Sequence, residues 1–179
     1  MNSNLKKLTL SAMMLATLCV MSLFSLPIGI SAVPLTLQTA GVLLCGILLG
    51  SKRGALCVAC YLLLGAFGLP VFSGGKAGAG VLLGITGGFL FGFVVTAFII
   101  GLCFYKNKNR KPSLLRTYIF TVTGIAFAYL TGIVQFSVIS GCGLWTAFLT
   151  AGLPFLPLEA VKIALFVPLA LRIRSSLSS

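Results

Sequence analysis

The chain has 179 residues, of which 59% are hydrophobic and only 8% are charged. A soluble domain carries about 25% charged residues, so this composition excludes an ordinary soluble globule. With one acidic residue and no histidine, the chain cannot form a Ser-His-Asp triad, a carboxylate dyad or a His/Asp/Glu metal site. Its thirteen Lys and Arg residues fall in short clusters between apolar runs, which argues against a nucleic-acid-binding surface. We therefore predict an all-α integral membrane protein that faces the lipid bilayer.

Six apolar stretches have lengths close to the roughly 20 residues that a helix needs to cross the bilayer. They cover residues 8–27, 35–50, 55–69, 81–105, 114–138 and 158–171. The second, third and sixth stretches are short, which suggests that these helices end inside the protein. The first stretch is too long for a usual secretory signal, so we expect it to be a helix of the bundle. The chain is predicted to be a single membrane domain, residues 1–179, with six transmembrane helices and structured outward-facing loops.

The basic residues predict the orientation of these six helices. With the N-terminus in the cytoplasm, eleven of thirteen fall on the inner side, and only Lys76 and Lys162 fall on the outer half. The inner residues are Lys6, Lys7, Lys52, Arg53, Lys106, Lys108, Arg110, Lys111, Arg116, Arg172 and Arg174. By the positive-inside rule, this bias predicts a multi-pass cell-membrane protein with both termini in the cytoplasm.

The predicted outer connections stay apolar or rich in glycine and proline. Residues 68–80 include Phe72, Gly74, Gly75 and Lys76, and residues 141–157 include the only tryptophan. Non-helical backbone at membrane depth persists only where protein buries it or a cavity solvates it. Glycine also lets the backbone approach a ligand closely. These segments therefore predict a binding pocket covered by outer loops, with ordinary packed turns as the alternative.

Two groups of polar residues are candidates for ligand recognition. Glu159 lies three residues before Lys162, so both share one helix face and can offset the cost of placing charge in a span. The pair could read a ligand or form a structural ion pair, and a proton relay is disfavoured because no other acid or histidine exists. Gln38, close to Thr36, could bind a ureido or amide group or bond between helices. The same choice applies to Gln135, where the interhelical bond is favoured.

Small residues recur at spacings that allow close helix packing. A glycine repeats every fourth residue in the fourth stretch, at Gly80, Gly84, Gly88 and Gly92. This glycine stripe is expected to pack within the bundle. Ala12 and Ala16 form an Ala-x-x-x-Ala pair that could pack internally or contact a second membrane subunit. Cys57 and Cys60 lie in an apolar helix and are expected to be packing residues, with no metal bound.

Three ordered motifs carry a resemblance to a known family. They are Val-Pro-Leu-Thr-Leu-Gln-Thr at 33–39, Gly-Leu-Pro-Val-Phe-Ser-Gly-Gly at 68–75 with Gly-Ile-Thr-Gly-Gly-Phe-Leu-Phe-Gly-Phe at 84–93, and Pro-Phe-Leu-Pro-Leu-Glu-Ala-Val-Lys at 154–162. They resemble the signatures of BioY, the S component of energy-coupling-factor (ECF) biotin transporters, over about residues 7–171. The resemblance implies a six-helix protein that binds biotin from outside with high affinity. It also implies a membrane coupling subunit and two cytoplasmic ATPases as partners.

The resemblance assigns roles to particular residues. The family has an Asp-x-x-Lys pair implicated in biotin handling, which corresponds to Glu159 and Lys162 with glutamate in place of aspartate. It also has an Ala-x-x-x-Ala surface for the coupling subunit, which is similar to Ala12 and Ala16. Biotin would be the transported ligand, and no cofactor is expected.

Biotin offers a ureido group, an apolar sulfur ring and a valerate anion, which a largely apolar pocket with a few polar groups could match. We expect Lys162 or Lys76 to bind the carboxylate and Glu159 or Gln38 to read the ureido edge. The remaining predicted contacts are Thr36, Phe72, Gly74 and Gly75. A stand-alone facilitator or secondary transporter of another vitamin-like solute is the main alternative, and a membrane enzyme is the least favoured.

Overall fold

The computed structural model describes residues 3–26, 33–104 and 113–178, and these are mostly helical. The helices are α1 (Ser3–Leu23), α2 (Gln38–Leu49), α3 (Ser51–Ala66), α4 (Ala79–Leu83), α5 (Gly87–Leu102), α6 (Leu114–Ser140), α7 (Leu144–Ala151) and α8 (Leu156–Ser178). Strands β1 (Ser25–Leu26) and β2 (Leu35–Thr36) pair antiparallel. Short 3-10 turns occupy Ser73–Gly75 and Leu153–Phe155. The predicted all-α bundle is confirmed.

Helix α2 is the centre of the bundle. It packs against α1, α3, α5 and α8, and nine of its twelve residues are buried. A helix that is apolar on every side is typical of such a central position. The second predicted stretch is therefore surrounded by protein. This position agrees with the prediction, made from its short length, that the helix ends inside the protein.

Helices α2 and α8 run side by side in the same direction, because residues near both N-termini meet and residues near both C-termini meet. At the C-terminal end, Arg174 of α8 donates hydrogen bonds to the carbonyl oxygens of Ile47 and Leu48. Its guanidinium also lies 4.2 Å from the ring centroid of Phe104. Arg174 therefore satisfies carbonyl groups that the end of α2 would leave unpaired.

The stretch 81–105, predicted as one helix, is divided between α4 and α5. Gly84 is extended, and a Cβ on Gly87 would lie only 1.7 Å from the carbonyl oxygen of Leu82. Gln135 of α6 donates from Nε2 to the carbonyl oxygens of Leu82, at 3.0 Å, and Gly84, at 2.8 Å. The side chain thus stabilises the break in the way expected of polar groups at membrane depth. This is the interhelical bond favoured for Gln135 from sequence.

The connection at 141–157, predicted to lie on the outer side, contains structure that the sequence did not predict. Gly141 adopts φ +65° and ends α6, after which α7 and the 3-10 turn lead into α8. Helix α8 extends to Ser178, beyond the predicted end at residue 171. The basic residues Lys106, Lys108, Arg110 and Lys111, between the fourth and fifth predicted stretches, lie outside the described residues, as do residue 27, the predicted end of the first stretch, and residues 28–32 of the connection that follows it.

Only part of the glycine stripe packs between helices. A Cβ on Gly88 would lie 2.3 Å from the carbonyl oxygen of Thr131, and one on Gly92 would lie 2.6 Å from Cα of Ala128. These two glycines bring α5 against α6, as predicted. A Cβ on Gly80, by contrast, would have no atom of another described element within 4 Å, so Gly80 does not pack closely against the described helices.

The described helices include three stretches long and apolar enough to cross a membrane. They are Leu5–Leu23, Leu114–Ser140 and Leu144–Leu177, the last of which joins α7 to α8. Helices α2 and α5 are also apolar but shorter. Many large apolar side chains remain exposed around the bundle, as expected where lipid replaces water. On α3, Cys57 is buried and Cys60 is half-buried, in keeping with packing roles.

Candidate ligand-binding site

A cavity of about 690 Å³, its opening included, lies beside the N-terminal ends of α2 and α8 and the α3–α4 connection. Small-molecule pockets are typically lined mostly by apolar side chains, with a few polar groups that fix the orientation of the ligand. Its apolar lining residues are Val33, Pro34, Leu35, Phe72, Val81, Phe89, Leu90, Phe93, Ala151 and Phe155. Its polar lining residues are Thr36, Gln38, Thr39, Ser73, Lys76, Thr86, Tyr129, Glu159 and Lys162. The cavity is therefore suited to a mainly apolar solute with a few hydrogen-bonding groups.

Glu159 and Lys162 form the charged part of this cavity and join α8 to the start of α2. They are only 6% and 4% exposed, and the Lys162 ammonium contacts Oε1 of Glu159 directly. The ammonium also donates to the carbonyl oxygen of Thr36, at 2.8 Å, and to Oγ1 of Thr39, at 2.7 Å. Thr39 in turn donates to Oε1 of Glu159 at 2.9 Å. The four residues form one closed hydrogen-bonded network.

The two charged side chains differ in the hydrogen-bonding atoms that they leave available to a ligand. A lysine ammonium has three hydrogens to donate, and the three acceptors around Lys162 engage all of them. Oε2 of Glu159 is buried and has no hydrogen-bond partner among the described residues. A buried carboxylate oxygen without a donor is costly. Oε2 of Glu159 is therefore available to accept a hydrogen bond from a ligand, whereas the Lys162 ammonium is engaged within the network.

Gln38 is 4% exposed and forms another part of the wall. Its Nε2 donates to the hydroxyl of Tyr61 at 2.5 Å, and that hydroxyl donates to the carbonyl oxygen of Val71 at 2.9 Å. A phenol has one hydrogen, so the amide nitrogen must be the end that faces Tyr61. The interhelical bond considered from sequence is thus present, and it leaves the amide oxygen as the atom of Gln38 that can accept from a ligand.

The connection from residue 68 to 78 covers one side of the cavity. Phe72 is 1% exposed and occupies a notch at Gly65, where a Cβ would lie 2.2 Å from its Cζ. Gly74, at φ +68°, and Gly75, at φ +77°, then turn the chain so that the Phe72 N–H donates to the Lys76 carbonyl oxygen at 3.0 Å. The exposed Lys76 side chain consequently lies at the edge of the cavity.

Six of the eight predicted ligand-binding residues line the cavity: Thr36, Gln38, Phe72, Lys76, Glu159 and Lys162. Gly74 and Gly75 do not line it and instead form the turn before Lys76. Residues that sequence reasoning missed include Thr39 and the aromatic residues Phe89, Phe93, Tyr129 and Phe155. Thr39 could have been found, because it follows Thr36 by three residues in the same motif. Tyr129 had no comparable signal.

The Ala-x-x-x-Ala pair lies on a different surface of the protein. Ala12 and Ala16 are exposed on α1, whereas Met14 and Leu18 of the same helix are buried in the core. The pair therefore does not pack within the described bundle, which was one of the two roles considered from sequence.

Comparisons with known proteins agree over the whole chain. A sequence model of the BioY family matches residues 1–179. The biotin transporter BioY of Thermotoga maritima is 37% identical over 172 residues, which cover 95% of this chain and 96% of the relative. The biotin transporter BioY of Lactococcus lactis subsp. cremoris is 35% identical, covering 97% and 93%. A crystal structure of the S-component for biotin from an ECF-type ABC transporter superposes with a TM-score of 0.89 and 34% identity, covering 98% of this chain and 95% of that chain. The chain belongs to the BioY family of membrane transport proteins.

Proposed function

We propose that this chain is the biotin-binding S component of an ECF-type uptake transporter. The observation that carries the proposal is Oε2 of Glu159, which is buried and has no partner in the described part of the chain, in a cavity that is otherwise mostly apolar. Family membership and the likeness to a biotin S component support the choice of biotin. The family consists of transporter components, so the protein is not an enzyme, and biotin is its cargo and not a cofactor.

The ureido group of biotin suits the polar end of the cavity. We assign one ureido N–H to Oε2 of Glu159, because none of the residues that the structure describes donates to this oxygen. The carbonyl oxygen of Gln38 can accept the other N–H. The Tyr129 hydroxyl makes no hydrogen bond to a described residue, so it is a suitable donor to the ureido carbonyl. The apolar sulfur ring would then pack on the aromatic wall.

The valerate carboxylate is assigned to Lys76. Both Lys162 and Lys76 were candidates from sequence, but the hydrogens of Lys162 are engaged by Thr36, Thr39 and Glu159. Lys76 is exposed at the edge of the cavity, where a charged tail can keep part of its hydration. This arrangement directs the ureido end inward and the carboxylate outward.

The direct test of the function is a calorimetric titration of the detergent-purified protein with biotin. We expect saturable binding of one biotin per chain, and no binding of riboflavin or thiamine under the same conditions. A protein that binds either of those vitamins in preference to biotin would contradict the proposal.

Replacing Lys76 by methionine is expected to weaken binding of biotin by about two- to fivefold at low ionic strength, since an exposed ion pair contributes about 0.2–1 kcal/mol. Binding of biotin methyl ester, which has no tail charge, should not change. Titration of both ligands measures the difference. Lys52→Met, which removes an exposed charge outside the cavity lining, is the control. Equal loss for acid and ester would disprove the carboxylate assignment.

We further propose that transport requires a membrane coupling subunit and two cytoplasmic ATPases. The exposed Ala12 and Ala16 on α1 offer a surface for close helix contact with the coupling subunit. Uptake of labelled biotin should be efficient only in cells that also produce these subunits. Equal uptake by the chain alone would favour the facilitator alternative.

The proposed topology has six transmembrane spans with both termini in the cytoplasm, supported by the eleven-to-two distribution of basic residues. The cavity would then open towards the outside. Cysteine-accessibility labelling on intact cells tests this orientation, with a cysteine introduced at Lys76 expected to react with a membrane-impermeant maleimide.

A further inference from the structure

We infer that Tyr61 is a positioning residue that links the Gln38 amide to the loop carrying Phe72 and Lys76. Tyr61 does not line the cavity and is fully buried on α3. The inference rests on the proposed function, because it concerns how the same site recognises the carboxylate of biotin.

The hydroxyl of Tyr61 connects two parts of the site. It accepts a hydrogen bond from Nε2 of Gln38 and donates one to the carbonyl oxygen of Val71. Ser22 also contacts the Val71 carbonyl, but its single hydrogen is shared with the carbonyl oxygen of Cys19, at 2.7 Å. The Ser22 hydroxyl also contacts the Tyr61 hydroxyl, so Tyr61 and Ser22 together hold the Val71 carbonyl, and of the two only Tyr61 also contacts Gln38.

The ring of Tyr61 holds the next residue of the loop. It meets the Phe72 ring edge-on, with centroids 5.6 Å apart and planes at 84°. On its other side, the Phe72 ring fills the notch at Gly65. The Phe72 N–H then bonds the Lys76 carbonyl, and the Gly78 N–H returns to the Gly65 carbonyl at 2.7 Å. Through Val71 and Phe72, Tyr61 thus fixes the backbone that presents Lys76.

Tyr61→Phe deletes the hydroxyl that contacts Gln38 and Val71 and keeps the aromatic ring. Val71 loses one of its two side-chain donors, with Ser22 as the other, and Gln38 loses its acceptor. We expect biotin affinity to fall about tenfold, as for loss of a buried hydrogen-bonded group. The preference for biotin over its methyl ester should also fall, because the loop that presents Lys76 is held less firmly at the cavity.

The experiment is a set of calorimetric titrations with biotin and biotin methyl ester. It uses the wild type, Tyr61→Phe, Lys76→Met and the double variant. The acid-to-ester affinity ratio should be about two to five in the wild type, close to one in Lys76→Met and intermediate in Tyr61→Phe. In the Lys76→Met background, Tyr61→Phe should not change the ratio further, since residues acting through each other are not additive. Tyr118→Phe, whose hydroxyl contacts the Ala164 carbonyl at 3.4 Å outside the cavity lining, should keep the wild-type ratio.

A second variant covers the case in which Tyr61→Phe does not fold. Gly65→Ala places a methyl group against the Phe72 ring and displaces the loop from the opposite side, so it should lower the ratio as well. Weaker binding of acid and ester by the same factor in the folded variants would overturn the inference, because a purely structural role predicts it. A ratio of one in the wild type would also overturn it. Failure of the wild type to bind biotin would overturn the proposed function instead.

Discussion

Replacing Glu159 by glutamine is expected to weaken biotin binding by about 100-fold or more. The variant loses the charged acceptor at Oε2, and a hydrogen bond to a charged group contributes about 1.5–3 kcal/mol. It also removes the anion that compensates the buried Lys162 ammonium, and breaking a buried ion pair from one side costs about 3–5 kcal/mol. Calorimetric titration with biotin measures the affinity, and thermal unfolding in the same detergent measures the stability.

Two further variants separate these effects. Glu159→Asp keeps the charge but withdraws the carboxylate by one methylene, so we expect about a tenfold loss of affinity and little loss of stability. The double variant Glu159→Gln with Lys162→Met removes both charges, so it should recover much of the stability without recovering binding. Binding by Glu159→Gln within threefold of the wild type would show that the open carboxylate oxygen does not recognise the ligand.

Replacing Gly88 by alanine is expected to lower the unfolding temperature by about 5 °C. The added methyl group would lie 2.3 Å from the carbonyl oxygen of Thr131, which belongs to the α6 backbone and cannot rotate away. Overpacking of this kind costs about 1–3 kcal/mol, and each kcal/mol shifts the unfolding temperature by about 2–4 °C at this chain length.

Gly80 provides the matched control, because it belongs to the same four-residue repeat but has open space where a methyl group would be added. Gly80→Ala should leave stability unchanged or raise it slightly, since alanine favours the helix. Equal effects of the two substitutions would contradict the distinction between the packed position Gly88 and the unpacked position Gly80. Thermal unfolding of both variants in one detergent provides the comparison.

The charged pair could be predicted from sequence because it is local. Glu159 and Lys162 lie three residues apart on one helix, and their charge in an apolar segment requires an interior position. The sequence did not predict that Glu159 would keep an acceptor oxygen for a ligand while the hydrogens of Lys162 are all engaged. This difference depends on Thr36 and Thr39, more than 100 residues away, which use the hydrogens of Lys162.

Other features could not be predicted because they depend on hydrogen bonds from side chains to backbone carbonyl oxygens. The break between α4 and α5 depends on Gln135 reaching the carbonyls of Leu82 and Gly84. The position of the loop at Lys76 depends on Tyr61 reaching the carbonyl of Val71. Every residue carries a carbonyl, so residue types in the sequence do not reveal which one a side chain will find.

The central claim is that the cavity beside Glu159 holds biotin. Mass spectrometry of small molecules extracted from the detergent-purified protein tests it most directly, using cells grown with biotin. We predict about one biotin per wild-type chain and almost none in the Glu159→Gln variant purified in parallel. A different solute in the wild type, or equal biotin in both proteins, would contradict the account.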